Sequence, residues 1–227
     1  QNVPKEYRQF ITIDSKLVTE YDFSQMNPNM IYDRYNHELG SEDAYSRVAG
    51  PDHRDVVKEA FNAMFQATTP LDRKPDGIEL DVIGMSWKEL KEEILKAHKP
   101  IKDLFFKGLG NTLQFEDSCI AESVMLQFAH SDAPALPIHD SFVMHHGYGE
   151  KGGLEEAMRR AYFERFNSSL SEKRDLVEKV THDKIRINED KKPINNDDGT
   201  IKVDDIINAD SAYSQWRDRD RMWMSRE

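Results

Sequence analysis

Apolar positions fall at a two-residue spacing near the start of the chain and shift to a helical spacing soon after. Phe10, Ile11 and Ile13 make one short extended run, Asp14-Ser15-Lys16 reads as a turn, and Leu17 to Phe23 make a second run rich in β-branched and aromatic residues. This pattern predicts a β-hairpin over residues 8–23. Pro28 opens a helical stretch with Met30, Ile31 and Tyr35 near one face. Gly50-Pro51-Asp52 is a break, and Asp52 is placed to cap a helix over 53–67 whose apolar side is Val56, Val57, Ala60, Phe61 and Met64. A loop with Pro70 and Pro75 covers Thr68 to Gly77. Ser86 caps a helix from Trp87 to about Ala97, and the Ser86–Glu89 spacing fits a capping box. Pro100 ends it before a further segment, Ile101 to Lys107.

Gly108 and Gly110 punctuate the chain. A long helix is expected from about Leu113 to Ala129, with Cys119, Ile120, Val124 and Phe128 on its apolar period. Ala135 to Met144 reads as strand, turn, strand, centred on His139-Asp140. Gly147 to Gly153 reads as a flexible loop, and Leu154 to Phe166 as a helix with Leu154, Ala157, Met158, Ala161 and Tyr162 on one face. Beyond Asn167, charges of both signs alternate, and Asn195 to Gly199 reads as a turn or linker. The expected fold is α/β in the α+β sense. A small antiparallel sheet is backed by the 113–129 and 154–166 helices, within a core over 1–167 that carries short helices at about 50–107. A charged extension follows over 168–227.

Composition narrows the function classes. The 227 residues are 38% hydrophobic and 32% charged, which suits a folded, polar chain without a membrane span. The start, Gln1-Asn2-Val3-Pro4, has no basic-then-apolar signal and no initiator Met, so the chain reads as a fragment or a processed form. A single cysteine, Cys119, points to a reducing, cytoplasmic setting and to a buried thiol rather than a nucleophile. The net charge of −11 disfavours simple nucleic-acid binding, which calls for a basic surface.

Three stretches carry candidate chemistry together. Asp22 closes a strand, Asp140 sits in a strand turn, and Arg54 and Lys58 lie four apart on one helix face. Two carboxylates from neighbouring strands can hold two magnesium ions roughly 3.5–4 Å apart, which stabilise the attacking and leaving oxygens of an in-line displacement. Arg54 as a planar fork and Lys58 as a point charge can take a triphosphate. His139-Asp140-Ser141 is read against a hydrolase triad, because neighbours on an extended segment point opposite ways and no nucleophile elbow is present.

Asp22-Phe23-Ser24-Gln25-Met26-Asn27 resembles motif A of family A DNA polymerases, Asp-Tyr-Ser-Gln-Ile-Glu. Arg54-x-x-x-Lys58-x-x-x-Asn62 resembles their motif B, and the helix from Leu113-Gln114 to Met125 is similar to the one preceding motif C. His139-Asp140-Ser141-Phe142 resembles motif C, more closely in its single-subunit, phage-type RNA polymerase form. The matches keep the family order over about residues 10–166.

The resemblance implies a polymerase palm without large fingers, and a prokaryotic, phage or mobile-element origin. It implies that Asp22 and Asp140 ligate magnesium (or manganese), with the Phe23 carbonyl as a third ligand. Arg54 and Lys58 would hold the triphosphate, with Lys58 protonating the leaving pyrophosphate. Gln25, Asn27, Asn62, Gln114 and His139 would contact nucleotide, primer or template. The implied partners are a primer–template and nucleoside triphosphates, with a thumb or fingers supplied by an N-terminal domain or a partner subunit. The sequence departs from the family where Asn27 replaces the glutamate that acts as a sugar gate, and where the tyrosine that closes motif B is absent and Gln66 stands near its place; both changes bear on the choice of deoxy- or ribonucleotide.

The expected activity is template-directed nucleotidyl transfer, on DNA first and RNA second. Priming or template-independent terminal transfer is the alternative within enzymes, and a non-catalytic palm-like binding module the alternative outside them. Lys88, Lys91, Lys99 and Lys102 read as a solvated face, His145 and His146 as exposed loop residues, and Tyr213, Trp216 and Trp223 as anchors of the tail.

Overall fold

The structure is a computed structural model, and it describes residues 11–13, 16–129, 133–145, 153–166 and 176–180. In chain order these form β1 (Thr12–Ile13), β2 (Lys16–Phe23), α1 (Met26–Arg34), α2 (Ser46–Ala49), a 3-10 turn (Pro51–His53) and α3 (Arg54–Gln66). They continue through α4 (Leu80–Ile83), α5 (Trp87–Ala97), a 3-10 segment (Lys99–Leu104) and α6 (Gly110–Ala129). The last elements are β3 (Leu136–Ile138), β4 (Ser141–His145), α7 (Leu154–Phe166) and β5 (Val177–Lys179). The fold is α+β, with one small antiparallel sheet among many helices.

The chain divides into two units. The first, among described residues, holds the sheet, the end of α6 from Glu122 and the start of α7 to Arg160; the second runs over 24–121 and 161–176. In the first unit β2 is central. Its residues Tyr21 and Asp22 pair with Phe142 and Ser141 of β4 on one edge, and with Lys179 and Glu178 of β5 on the other. β4 in turn pairs with β3. One face of β2 and β4 is apolar: Tyr21, Phe23, Phe142 and Met144 are buried there, and the Phe23 and Phe142 rings meet edge to face at 6.5 Å. The other face carries Glu20, Asp22, Ser141, Val143 and His145, because side chains alternate along a strand.

In the second unit an aromatic core gathers around Phe61. Tyr45, Phe65, Phe105 and His98 all lie with ring centroids 4.8–5.6 Å from it. Glu116 on α6 is buried and receives Arg34 from the end of α1 and Arg165 from the end of α7. The Tyr162 hydroxyl donates to buried Asp33 at 2.7 Å. The capping box at Ser86 and Glu89 forms as the spacing predicts.

Several local expectations change. Helix α1 begins at Met26 rather than Pro28: Gln25 turns the chain in the left-handed region, and proline is tolerated in a first turn, where amides lack intrahelical partners. Asp52 does not cap α3. Pro51–His53 takes 3-10 geometry, so His53 stands at the cap with no side-chain hydrogen bond. Lys16 lies in β2 rather than in the turn. Cys119 is half-buried, since it lies beside the fully apolar line of α6 rather than on it. His145 is buried as the last residue of β4 instead of being exposed. The short helix α4 and the strand β5 were not foreseen. Phe10, His146, Tyr213, Trp216, Trp223 and the 195–199 turn lie outside the described residues.

Candidate active site

The first unit brings Asp22 and Asp140 to neighbouring positions across one ladder. Ile138 pairs with Ser141, so His139 and Asp140 form a two-residue hairpin loop between β3 and β4. Such tight loops need positive φ at a central residue, and His139 supplies it at 55°. A non-glycine residue there carries backbone strain of about 1–3 kcal/mol, a cost that clusters at functional sites. The loop residues are thus not extended, contrary to the expectation for His139-Asp140-Ser141. Asp22 pairs with Ser141, the residue after Asp140, and the Phe23 amide donates to the Asp140 carbonyl at 3.1 Å. Paired Cα atoms in such a ladder lie roughly 4.5–5.5 Å apart. Asp22 and Asp140 are half-exposed, His139 is exposed, and Phe23 is buried.

Ser141 is buried at the start of β4. Its Oγ lies 2.8 Å from Glu20 Oε1 and 3.0 Å from the Ile138 carbonyl, so its single proton is held between two acceptors. Glu20 itself was missed by the sequence reading. The available signal was its spacing: two residues before Asp22 on one strand, it must share that face. Glu178, directly across from Asp22 on β5, was missed for a different reason. It lies in a charge-rich stretch where no strand period stands out.

The second unit holds the remaining candidates. Arg54, Lys58 and Asn62 recur every four residues on α3 and so share a face. Lys58 is exposed and Arg54 half-exposed. Asn27 Nδ2 donates to Asn62 Oδ1 at 3.0 Å, which ties the start of α1 to that face. Gln25, at φ 52° before α1, accepts from the Ala44 amide through its side-chain oxygen. Gln114 is exposed on α6 and its carbonyl accepts from Ser118 at 2.8 Å. Asp43, not foreseen, accepts from Arg54 Nε at 3.1 Å; an acidic residue three before Ser46 was a readable cap signal. Of the lysines read as a solvated face, Lys88, Lys99 and Lys102 are exposed, while Lys91 reaches the Leu71 carbonyl and lies over Trp87.

No protein-family model matches the chain, and no curated protein matches it. Among the described residues no helix is long and apolar enough to cross a membrane. Among solved structures the chain is similar to the POL domain of Pol1 from M. smegmatis, determined in complex with DNA primer-template and dNTP. The identity is 13%, the TM-score 0.41, and the match covers 70% of this chain. The chain spans 39% of that structure's chain.

Proposed function

We propose that this chain is a magnesium-dependent nucleotidyltransferase that extends a nucleic-acid 3′ end from nucleoside triphosphates under a template, with DNA as the first choice and RNA as the second. One observation carries the reading. Asp22 closes the central strand and Asp140 stands in the adjoining hairpin turn, with the Phe23 amide on the Asp140 carbonyl. Two acidic residues from separate parts of the sequence therefore stand at neighbouring backbone positions of one sheet, which supports the reading.

The donor set fits the ion. Magnesium takes hard oxygen ligands and is bound through one or two carboxylates, leaving other positions to water and phosphate. Asp22, Asp140 and the Phe23 carbonyl are such donors. Among the described residues no group of three or more His, Cys, Asp or Glu is set to hold a metal; with Asp22, Asp140 and the Phe23 carbonyl as ligands, magnesium would keep its other positions for water and phosphate. What the ion supplies when bound is charge neutralisation at phosphoryl oxygens and a more acidic attacking hydroxyl.

The chain's own side chains do the rest of the work in this reading. Arg54 binds phosphate oxygens through its planar fork and Lys58 neutralises them as a point charge. The 3′-hydroxyl loses its proton to solvent water as its oxygen forms a bond to the α-phosphorus, the bond from that phosphorus to the α,β-bridging oxygen breaks, and Lys58 gives the leaving pyrophosphate a proton that it regains from water. Positioning and charge stabilisation account for most of such catalysis.

The test is incubation of the full chain with a primed template and each labelled nucleotide set, with magnesium. Templated extension by deoxynucleotides is the expected result. Extension by ribonucleotides alone, or untemplated addition, would reassign the reaction within the class. No incorporation with either set, under magnesium or manganese, would leave the chain as a binding module.

A further inference from the structure

We propose that Asp43 is a positioning residue for Arg54, fixing its guanidinium so that the outward edge is presented to the triphosphate of an incoming nucleotide. This rests on the reading of Arg54 as a triphosphate ligand.

The geometry divides the Asp43 carboxylate between two tasks. Oδ1 accepts from the amides of Tyr45 and Ser46 at 3.0 and 2.7 Å and so fixes the chain entering α2. Oδ2 accepts from Arg54 Nε at 3.1 Å. The Arg54 guanidinium carbon also stands 5.3 Å from the centroid of the Tyr45 ring. That ring is buried and packed edge to face on Phe61 at 5.6 Å, so its position is set by the core. Arg54 is thus held from one edge and from one face.

What is left over is the useful part. With Nε engaged, both terminal nitrogens keep donors. Arg54 is 34% exposed, and its other acidic neighbour, Asp55, lies 3.9 Å from Nη1 with a side chain 93% exposed. That second pair is screened by water and holds little. The terminal edge of a guanidinium matches two phosphate oxygens at once. A long side chain that is already fixed loses less rotamer freedom on binding.

Asp43 remains ionised to do this. Burial alone would raise its carboxyl, but the Ser46 amide and hydroxyl and the Arg54 guanidinium outweigh burial and hold it below the ordinary range.

The two tasks can be separated by substitution. Asp43→Ser keeps an oxygen able to accept from the Tyr45 and Ser46 amides but cannot reach Arg54. Affinity for a deoxynucleoside triphosphate is measured by calorimetry on the full chain, its Asp43→Ser and Arg54→Ala variants, and the double variant, alongside their melting temperatures. Arg54→Ala is expected to weaken binding by about 10- to 100-fold, and Asp43→Ser by about 3- to 10-fold with little change in melting. The double variant should bind no more weakly than Arg54→Ala alone, an outcome that a general loss of structure would not give. If Asp43→Ser binds like the parent while Arg54→Ala is weakened, the positioning role is wrong and the triphosphate reading stands. If the parent binds no triphosphate, or Arg54→Ala binds as well as the parent, the triphosphate reading fails and takes this proposal with it.

Discussion

The Phe23 amide donates to the Asp140 carbonyl at 3.1 Å, so the residue after one candidate ligand is tied to the main chain of the other. The backbone positions of Asp22 and Asp140 are thereby tied to one another within the sheet. Glu178 lies directly across from Asp22 on β5, and like charges facing across a ladder are destabilising. A divalent cation on Asp22 and Asp140 would relieve that repulsion. Magnesium at ten times its dissociation constant should stabilise the parent by about 1.4 kcal/mol. Asp22→Ala and Asp140→Ala should each abolish that response while melting, without metal, at or above the parent temperature. A thermal-shift titration with magnesium and manganese measures this. A full metal response retained in either variant would remove the two carboxylates from the metal site.

His98 gives the chain an acid-sensitive core. It is fully buried, with Nε2 3.0 Å from the Ala44 carbonyl and Nδ1 3.1 Å from the Tyr32 hydroxyl. The neutral ring satisfies both partners if Nε2–H donates to Ala44 and Nδ1 accepts from Tyr32. Burial, and then the Arg47 charge, push its pKa down to about 4, against the opposing pull of the Ala44 hydrogen bond. Above pH 6.5 the imidazole is neutral in both folded and unfolded chains and contributes no pH dependence. As pH falls from 6.5 toward 4, the unfolded chain takes up the proton and the folded chain does not. Stability is lost over that window, by a total on the order of 3 kcal/mol. Urea unfolding at pH 7 and pH 4.5 should show the loss in the parent and a smaller one in His98→Gln. Equal losses in both would assign the acid sensitivity to other groups.

The long helices were legible because their apolar periods are strong: the expected 87–97 and 154–166 segments agree with α5 and α7. The hairpin around His139-Asp140 was legible too, since alternating apolar residues flank a turn of two polar ones. Where the reading failed, tertiary structure supplied what local pattern lacked. β5 is three residues in a charged stretch, and only its pairing with β2 makes it a strand. His145 is polar at a strand end, yet pairing with Val18 places it on a covered face. Of the candidate site, sequence spacing alone revealed that Arg54, Lys58 and Asn62 share a helix face. That Asn62 meets Asn27, and Arg54 meets Asp43, are contacts between segments 11 to 35 residues apart in sequence, beyond the reach of any helical or strand period.

Gly110 opens α6 where the end of α3 approaches it closely. A Cβ placed there would stand 2.7 Å from Gln66 Cγ and 3.2 Å from Gln66 Cα. Alanine is the better helix former by up to about 1 kcal/mol in a helix interior, and less at a first position such as this. The collision works the other way, because Cγ is not the free end of its side chain and Cα is backbone. Overpacking of this kind costs about 1–3 kcal/mol, so Gly110→Ala should be destabilising on balance despite its propensity gain. Gln66→Ala removes the nearer obstacle and leaves the Cα, so adding it to Gly110→Ala should restore part of the loss. Urea unfolding of the two single variants and the double variant measures the coupling. Simple additivity would mean that the segments move apart freely, and that glycine at 110 is set by something other than this approach.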